Sequence, residues 1–83
     1  MNNRRRRLVY RATHCGMKEN DVLLGRFASQ KMTELTDNQI DLFEQLMAAS
    51  DNDLYNWITG RAAVPEDFDN EIMSMIKEFH GFS

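Results

Sequence analysis

The sequence predicts an all-α fold, a compact single-domain bundle of about five short helices. Apolar residues recur at helical spacing in five segments of the 83-residue chain, and residues that start or stop helices bound each segment. No segment alternates apolar and polar residues, and no Asn-Gly or Asp-Gly pair marks a hairpin turn. A chain of this length has room for one domain. We expect that domain to span residues 1–83, with a disordered arm at residues 1–5.

The first helix is predicted at about residues 4–14. No helix breaker interrupts this stretch, and Leu8, Val9 and Ala12 form a narrow apolar stripe. Tyr10 falls off that stripe among arginines, which is a composition common at protein interfaces. Gly16 follows the helix at the position where a glycine often ends one in a left-handed conformation.

The second helix is predicted at about residues 18–31. Glu19 and Asp21 lie in its first turn, where carboxylates complement the helix dipole. Gly25 lies inside the helix at a cost of about 1 kcal/mol relative to alanine, so we expect close helix packing at this point. The buried face consists of Leu23, Leu24, Phe27 and Ala28.

Three further helices follow. Thr36 and Gln39 form a capping-box pattern that opens a third helix reaching about Ala49. Ser50 opens a short fourth helix that ends at Gly60. Pro65 is expected in the first turn of a fifth helix that Gly81 follows. The residues expected to face the core are Ile40, Phe43, Leu46, Met47, Leu54, Trp57, Ile58, Phe68, Ile72, Met75, Ile76 and Phe79.

The composition limits the classes of protein to which this chain can belong. The chain lacks the roughly 18 consecutive apolar residues of a membrane helix. Its one cysteine, Cys15, cannot form an internal disulfide, and His14 and His80 are too few for an ordinary zinc site. We expect no bound metal, and a soluble intracellular protein.

The sequence offers no independent case for catalysis. His14 and Cys15 are neighbours along the chain, and such neighbours usually point apart, so they do not suggest a nucleophile and its base. The four glycines lie in no phosphate-binding or dinucleotide-binding spacing. We therefore expect no catalytic residues, no cofactor-binding residues and no enzymatic activity.

Charge is distributed unevenly and leaves one alternative function open. Residues 1–31 carry eight Lys and Arg against two acids, whereas residues 32–83 carry two against eleven. The run Arg4–Arg7 is capable of neutralising phosphates, which would suit a nucleic-acid-associated or regulatory module. The acidic remainder opposes that function, and no helix-turn-helix pair with a polar recognition helix stands out. A solvated arm or a protein-docking handle is the favoured interpretation of the arginines.

In several segments the chain resembles the succinate dehydrogenase assembly factor 2 family, the small flavinylation factors also called flavinators. Four of these segments are Arg7-Leu8-Val9-Tyr10, Gly16-Met17-Lys18-Glu19-Asn20-Asp21, Leu23-Leu24 and Phe27-Ala28. The segment that begins at Gly16 includes the Gly-x-x-Glu of the family's Arg-Gly-x-x-Glu signature. The segment 51–57 is similar to the family's acidic-Leu-x-x-Trp stretch, and the segment 65–79 to its last amphipathic helix.

The resemblance implies a non-catalytic assembly factor. Family members bind the flavoprotein subunit of succinate dehydrogenase, and in bacteria often that of fumarate reductase. They promote covalent attachment of FAD to a histidine of that subunit, so the FAD belongs to the client. The absence of a long presequence favours a bacterial member in the cytoplasm, and a eukaryotic member would act in the mitochondrial matrix. We expect a monomer that does not insert into membranes or bind nucleic acid.

The resemblance also places the partner-binding residues around the turn between the first two helices. They are Tyr10, Arg11, Cys15, Gly16, Glu19 and Asp21. Gly16 would allow close approach of the client, and Glu19 would hydrogen-bond across the interface or fix the turn. Cys15 stands where the family signature has arginine, which replaces a cation by a small thiol. Arg11, one helical turn earlier, is the expected substitute for that charge.

Overall fold

A computed structural model describes residues 2–82, and five α-helices account for most of this part of the chain. Their bounds are α1 Asn3–Thr13, α2 Lys18–Lys31, α3 Asp37–Leu46, α4 Asp51–Thr59 and α5 Glu71–His80. Two 3₁₀ turns, Met32–Glu34 and Glu66–Phe68, precede α3 and α5. No strand occurs among residues 2–82. The predicted all-α bundle is confirmed.

Local capping explains where the helices begin and end. The Thr36 hydroxyl accepts from the Gln39 N–H and the Gln39 side chain accepts from the Thr36 N–H, so the predicted capping box is present. At the start of α4, the Ser50 hydroxyl accepts from the N–H of Asp53. The helices α4 and α5 end at left-handed glycines, Gly60 and Gly81, as expected from the sequence.

The helices enclose one apolar core, and α1 packs most extensively on α2. Gly25 lies at that contact, where an added Cβ would come within 3.1 Å of the Ala12 carbonyl oxygen, so the close packing expected there is confirmed. The Phe27 and Phe43 rings meet at 6.0 Å. The core is formed by Leu8, Ala12, Leu23, Leu24, Phe27, Ala28, Met32, Leu35, Ile40, Phe43, Leu46, Leu54, Trp57, Ile58, Ile72, Met73 and Ile76.

Two predicted helix bounds are wrong. Helix α3 ends at Leu46 rather than near Ala49, because Ser50 must be extended to cap α4 and the three residues before it close a tight turn. Helix α5 begins at Glu71 rather than at Pro65. Asn70 is extended, and its side chain accepts from the N–H groups of Ile72 and Met73, which starts the helix there.

The segment after Pro65 differs accordingly from the prediction. Phe68 lies on the short 3₁₀ turn and not on the buried stripe of α5. Its ring stacks on the Trp57 indole, with centroids 5.1 Å apart and an interplanar angle of 27°. Trp57 is buried as expected, whereas Met47, Met75 and Phe79 are only partly buried at the edge of the core.

Arg4–Arg7 all lie in α1, so residues 3–5 of the predicted N-terminal arm are helical. Met1 lies outside the described residues, and α1 begins at Asn3 because the Asn2 side chain accepts from the N–H of Arg5. The Arg5 guanidinium donates to the carbonyl oxygens of Met32 and Leu35, the latter at 2.8 Å. These bonds fasten the start of α1 to the rest of the bundle.

None of the helices within residues 2–82 combines the length and the apolar character that a membrane span requires.

Candidate functional site

The residues predicted to bind a partner lie around the turn that joins α1 to α2. We call this surface the α1–α2 corner and define it by Tyr10, Arg11, Cys15, Gly16, Glu19 and Asp21. Tyr10, Arg11, Gly16 and Glu19 are exposed, whereas Cys15 and Asp21 are half-buried. The corner therefore has an outer set of residues and an inner pair.

The inner pair holds the turn together. Asp21 lies in the first turn of α2, and its Oδ1 accepts from the backbone N–H of Cys15 at 2.6 Å. Met17, the N-cap residue of α2, makes no side-chain capping bond, so this carboxylate is the side chain that joins the turn to the helix start. Asp21 thus shapes the corner from within.

One side chain of α4 closely approaches the exposed Gly16. An added Cβ would come within 2.7 Å of Oδ2 of Asp51, in the first turn of that helix. The predicted left-handed conformation is wrong, because among residues 2–82 only Gly60 and Gly81 have positive φ. Because the approaching atom is the movable end of a side chain, a larger residue at position 16 needs only a shift of the Asp51 carboxylate.

A buried residue that sequence reasoning missed fastens the same two helices. Asn20 is fully buried, and its Nδ2 donates to the carbonyl oxygen of Asp51 at 2.9 Å. Its Oδ1 accepts no hydrogen bond from the residues described here. Asn20 precedes Leu24 and Phe27 at i+4 and i+7, so helical spacing was the signal that placed it on the buried face.

The Cys15 thiol is held as a neutral donor. Its Sγ lies 3.3 Å from the carbonyl oxygen of Ala12. Burial, followed by the negative charges of Asp21 and Asp51, raises the pKa of the thiol from 9.0 to about 11. A thiol with this pKa stays protonated at neutral pH and is a poor nucleophile.

Tyr10 and His14 form an exposed aromatic pair beside the turn. Tyr10 is 63% exposed, and its ring stacks on the His14 imidazole with centroids 4.0 Å apart. His14 Nδ1 also lies 2.8 Å from the carbonyl oxygen of Tyr10. The imidazole is thus engaged with Tyr10, and the pair presents a fixed aromatic surface to solvent, as expected of Tyr10 from its position off the apolar stripe.

Arg11 and Glu19, the two charged residues of the outer set, lie beside different parts of the molecule. The Arg11 guanidinium donates to the carbonyl oxygen of Met47 at 3.5 Å, so its described hydrogen bond joins α1 to the end of α3. Glu19 makes no ion pair within residues 2–82. Its side chain lies at the rim of a groove of about 320 Å³.

This apolar groove, which sequence reasoning missed, adjoins the corner. We define it by Val22, Leu23, Tyr55, Thr59 and Phe82, with Glu19 at its rim. Val22 lies on α2 and is 47% exposed although its side chain is apolar. An apolar residue off the buried stripe of α2 was the one sequence signal for this surface.

Within residues 2–82, no cluster of three or more His, Cys, Asp or Glu side chains is arranged to hold a metal ion. The fold and the corner together define a small all-α protein in which Asp21 holds the turn between α1 and α2, and Asn20 fastens α2 to α4.

The family model described as "Flavinator of succinate dehydrogenase" matches residues 6–80, and the chain belongs to this family. The resemblance drawn from the sequence is therefore confirmed.

Several relatives named succinate dehydrogenase assembly factor 2, mitochondrial, are similar to the chain. That of Dictyostelium discoideum is 38% identical over 73 residues, which cover 88% of this chain and 52% of the relative. That of Culex quinquefasciatus is 40% identical over 74 residues, covering 87% and 46%. That of Danio rerio is 36% identical over 78 residues, covering 92% and 49%. The chain spans about half the length of the curated relatives that it matches.

Proposed function

We propose that this protein is an assembly factor that promotes covalent attachment of FAD to a histidine of the succinate dehydrogenase flavoprotein subunit. The observation that carries the proposal is the family match over residues 6–80. The names of the relatives, which are assembly factors of succinate dehydrogenase, support it. The flavin belongs to the client, and this chain supplies neither a cofactor of its own nor a catalytic residue.

The α1–α2 corner is the proposed contact with the client. Asp21 holds the turn to α2, and Asn20 holds α2 to α4, so the surface is already ordered before a partner arrives. A preorganised surface loses little conformational entropy on binding, which favours affinity. Tyr10, Arg11, Gly16 and Glu19 contact the client in this proposal, and Cys15 and Asp21 shape the turn beneath them.

The proposed mechanism is positioning. Covalent flavinylation requires that the client's histidine and the isoalloxazine ring meet in a reactive geometry, and holding two groups in such a geometry lowers the barrier substantially. The factor would stabilise the client conformation in which this geometry is reached. The thiol of Cys15, with its raised pKa, takes no part in the chemistry.

We extend the proposal to clients and compartment. The fumarate reductase flavoprotein is a second proposed client, and the factor acts as a monomer that does not insert into membranes. The site of action is the cytoplasm in a bacterium and the mitochondrial matrix in a eukaryote. The names of the relatives, which say mitochondrial, support the second of these settings.

A complementation experiment tests the function. The gene is deleted, and covalent flavin is measured as fluorescence of the denatured flavoprotein subunit in a gel. We expect the signal to fall strongly in the deletion strain and to return with the wild-type gene. A deletion strain with an undiminished signal would overturn the proposed function.

Gly16→Arg tests the corner within that experiment. The added side chain first meets the movable carboxylate of Asp51, so the fold should survive while the bulk blocks the contact surface. We expect less than a tenth of the wild-type flavin signal. Gln30→Arg, an exposed change near the other end of α2, is the matched control and should complement fully. Full complementation by Gly16→Arg would remove the corner from the proposed contact.

A further inference from the structure

The apolar groove is built by three separate parts of the chain. Val22 and Leu23 come from α2, Tyr55 and Thr59 from α4, and Phe82 from the residues after α5. The groove measures about 320 Å³, at the small end of the range of ligand pockets, and it is large enough for one large side chain. Glu19 is shared between its rim and the α1–α2 corner.

The wall formed by Phe82 is held by the backbone. Gly81 has a φ of +80°, which glycine adopts without strain, and the N–H of Phe82 donates to the carbonyl oxygen of Lys77 at 2.8 Å. His80 Nε2 also donates to the carbonyl oxygen of Leu23 at 2.5 Å. The first bond sets the path of the chain after α5, and the second holds the end of α5 beside α2, so the groove exists before anything occupies it.

The lining of the groove has little need for polar partners. The Thr59 hydroxyl already donates to the carbonyl oxygen of Tyr55 at 2.6 Å. The Arg61 guanidinium lies over the Tyr55 ring, 5.4 Å from its centroid, which leaves the cation outside the groove. An apolar side chain is therefore the occupant that loses least on entering.

The rim of the groove, unlike its apolar lining, favours a charged partner. Glu19 is exposed and makes no ion pair with any described residue. A carboxylate beside an apolar groove attracts a cation on whatever enters the groove and repels an acidic segment. The occupant that satisfies both features carries an apolar side chain with a lysine or arginine next to it.

We propose that the apolar groove is a second contact for the client, which inserts an apolar side chain there and places an adjacent lysine or arginine against Glu19. This inference rests on the proposed function and deepens it. The contact with the client then continues from the α1–α2 corner, through Glu19, to α4 and the end of α5.

Binding measurements with the purified flavoprotein subunit test the proposal. Val22→Asp places a charge in the groove at an exposed helical position, and we expect its Kd for the subunit to rise at least tenfold. Phe82→Ala removes one wall, and we expect a several-fold rise. Gln30→Asp adds the same charge near the other end of α2 and should bind as the wild type does. Thermal melting of each variant verifies the fold, and Phe82→Ala keeps the test valid if Val22→Asp does not fold.

Photo-crosslinking identifies the occupant. A benzophenone side chain introduced at position 82 should attach to a client peptide in which an apolar residue adjoins a lysine or arginine. Attachment to an acidic or wholly polar segment would overturn the proposal. A change in oligomeric state caused by Val22→Asp without the client would also overturn it, because the occupant would then be a second copy of this chain.

The affinity of the Gly16→Arg variant for the flavoprotein subunit distinguishes a failure of the groove proposal from a failure of the proposed function. If it abolishes binding while Val22→Asp and Phe82→Ala bind normally, the groove proposal fails and the proposed function stands. If the wild-type protein does not bind the subunit, both fail. If Val22→Asp and Phe82→Ala lose affinity while Gly16→Arg does not, the groove is the contact and the corner is not.

Discussion

The pKa of the Cys15 thiol is determined by the groups around it. Its thiol donates to the carbonyl oxygen of Ala12, and the carboxylates of Asp21 and Asp51 contribute negative charge beside it. The raised pKa, about 11 against an ordinary 9.0, is a consequence of burial first and of these charges second. It separates Cys15 from reactive cysteines, whose thiolates are stabilised by nearby cations.

We predict a stability difference confined to alkaline pH. Because the folded-state pKa of Cys15 is raised, the unfolded chain loses its thiol proton at lower pH than the folded protein does. The contribution of Cys15 to stability is therefore complete below about pH 9 and is lost as the pH rises towards 11. Urea unfolding from pH 7 to 10.5 should show a steeper fall for the wild type than for Cys15→Ser. Parallel curves would contradict the thiol environment described above.

We predict that Asp21 has a structural role that Glu19 lacks. Asp21→Ala removes the acceptor for the N–H of Cys15 and should lower the free energy of unfolding by about 1–2 kcal/mol. Glu19→Ala removes a carboxylate from the same helical turn without breaking a described hydrogen bond. That control should cost only the dipole contribution, about 0.3–1 kcal/mol. Chemical denaturation measures both, and equal losses would assign the effect of Asp21 to the helix dipole alone.

The sequence predicted which residues lie around the turn between α1 and α2, but it did not predict most of the contacts that they make. The exposure of Tyr10 followed from its position off the apolar stripe, and the family signature directed attention to Gly16 and Glu19. The contact of Gly16 with Asp51 joins residues 35 positions apart, and no local pattern specifies such a contact. The burial of Asn20 was readable from helical spacing, but its amide also suits a polar surface position.

The close packing of α1 on α2 depends on Gly25, because glycine has no side chain to separate the two helices. Gly25 lies where α2 meets the end of α1, and a Cβ there would come within 3.0 Å of the Thr13 methyl carbon and 3.2 Å of the Thr13 Cα. Two of the three nearest atoms belong to the backbone, which moves only together with the helix. The small residue thus sets how closely the two helices approach.

We predict that Gly25→Ala destabilises the protein although alanine favours helices. The gain in helix propensity, about 1 kcal/mol, is outweighed by overpacking, which costs about 1–3 kcal/mol in a closely packed contact. We expect a lower melting temperature and a net loss of up to about 2 kcal/mol, which is the overpacking cost less the gain in helix propensity. Ser29→Ala, at an exposed position of the same helix, should be neutral or slightly stabilising. An increase in melting temperature for Gly25→Ala would show that α1 can move away.

Helix starts were predictable where the capping side chain was recognised in the sequence. Thr36 and Ser50 marked the starts of α3 and α4 because a capping side chain acts within three residues of its helix. The start of α5 was misplaced because Pro65 suits a 3₁₀ turn as well as a first helical turn, and the capping signal of Asn70 was missed. The stacking of Phe68 on Trp57 is a tertiary contact, and the apolar spacing of residues 68–79 does not reveal it.

The distribution of charge over the whole molecule opposes the nucleic-acid alternative. Arg4 pairs with Asp41 and Glu44 at the surface, and Arg5 bonds to backbone carbonyls, so two of the four consecutive arginines already contact other parts of the chain. Residues 32–83 carry eleven acids against two basic residues, which repels a phosphate backbone. Only half of the arginine run is therefore without such contacts among the described residues.

We predict weak binding to duplex DNA. At 150 mM salt the Kd for a labelled duplex should exceed about 100 μM, the weak end of ordinary non-specific binding. Replacement of Arg6 and Arg7, which make no ion pair among the described residues, should change little. Fluorescence anisotropy across a salt series measures this. Micromolar binding that falls steeply with salt and disappears in the Arg6→Ala, Arg7→Ala variant would instead support the nucleic-acid alternative.

The anionic setting of Cys15 has a consequence for one substitution, Cys15→Arg. The family signature has arginine at this position, and the carboxylates of Asp21 and Asp51 lie near enough to the thiol to raise its pKa. A guanidinium placed there would meet counter-charges that are already present, without a second substitution nearby. The surroundings that disfavour a thiolate at position 15 would therefore favour a cation.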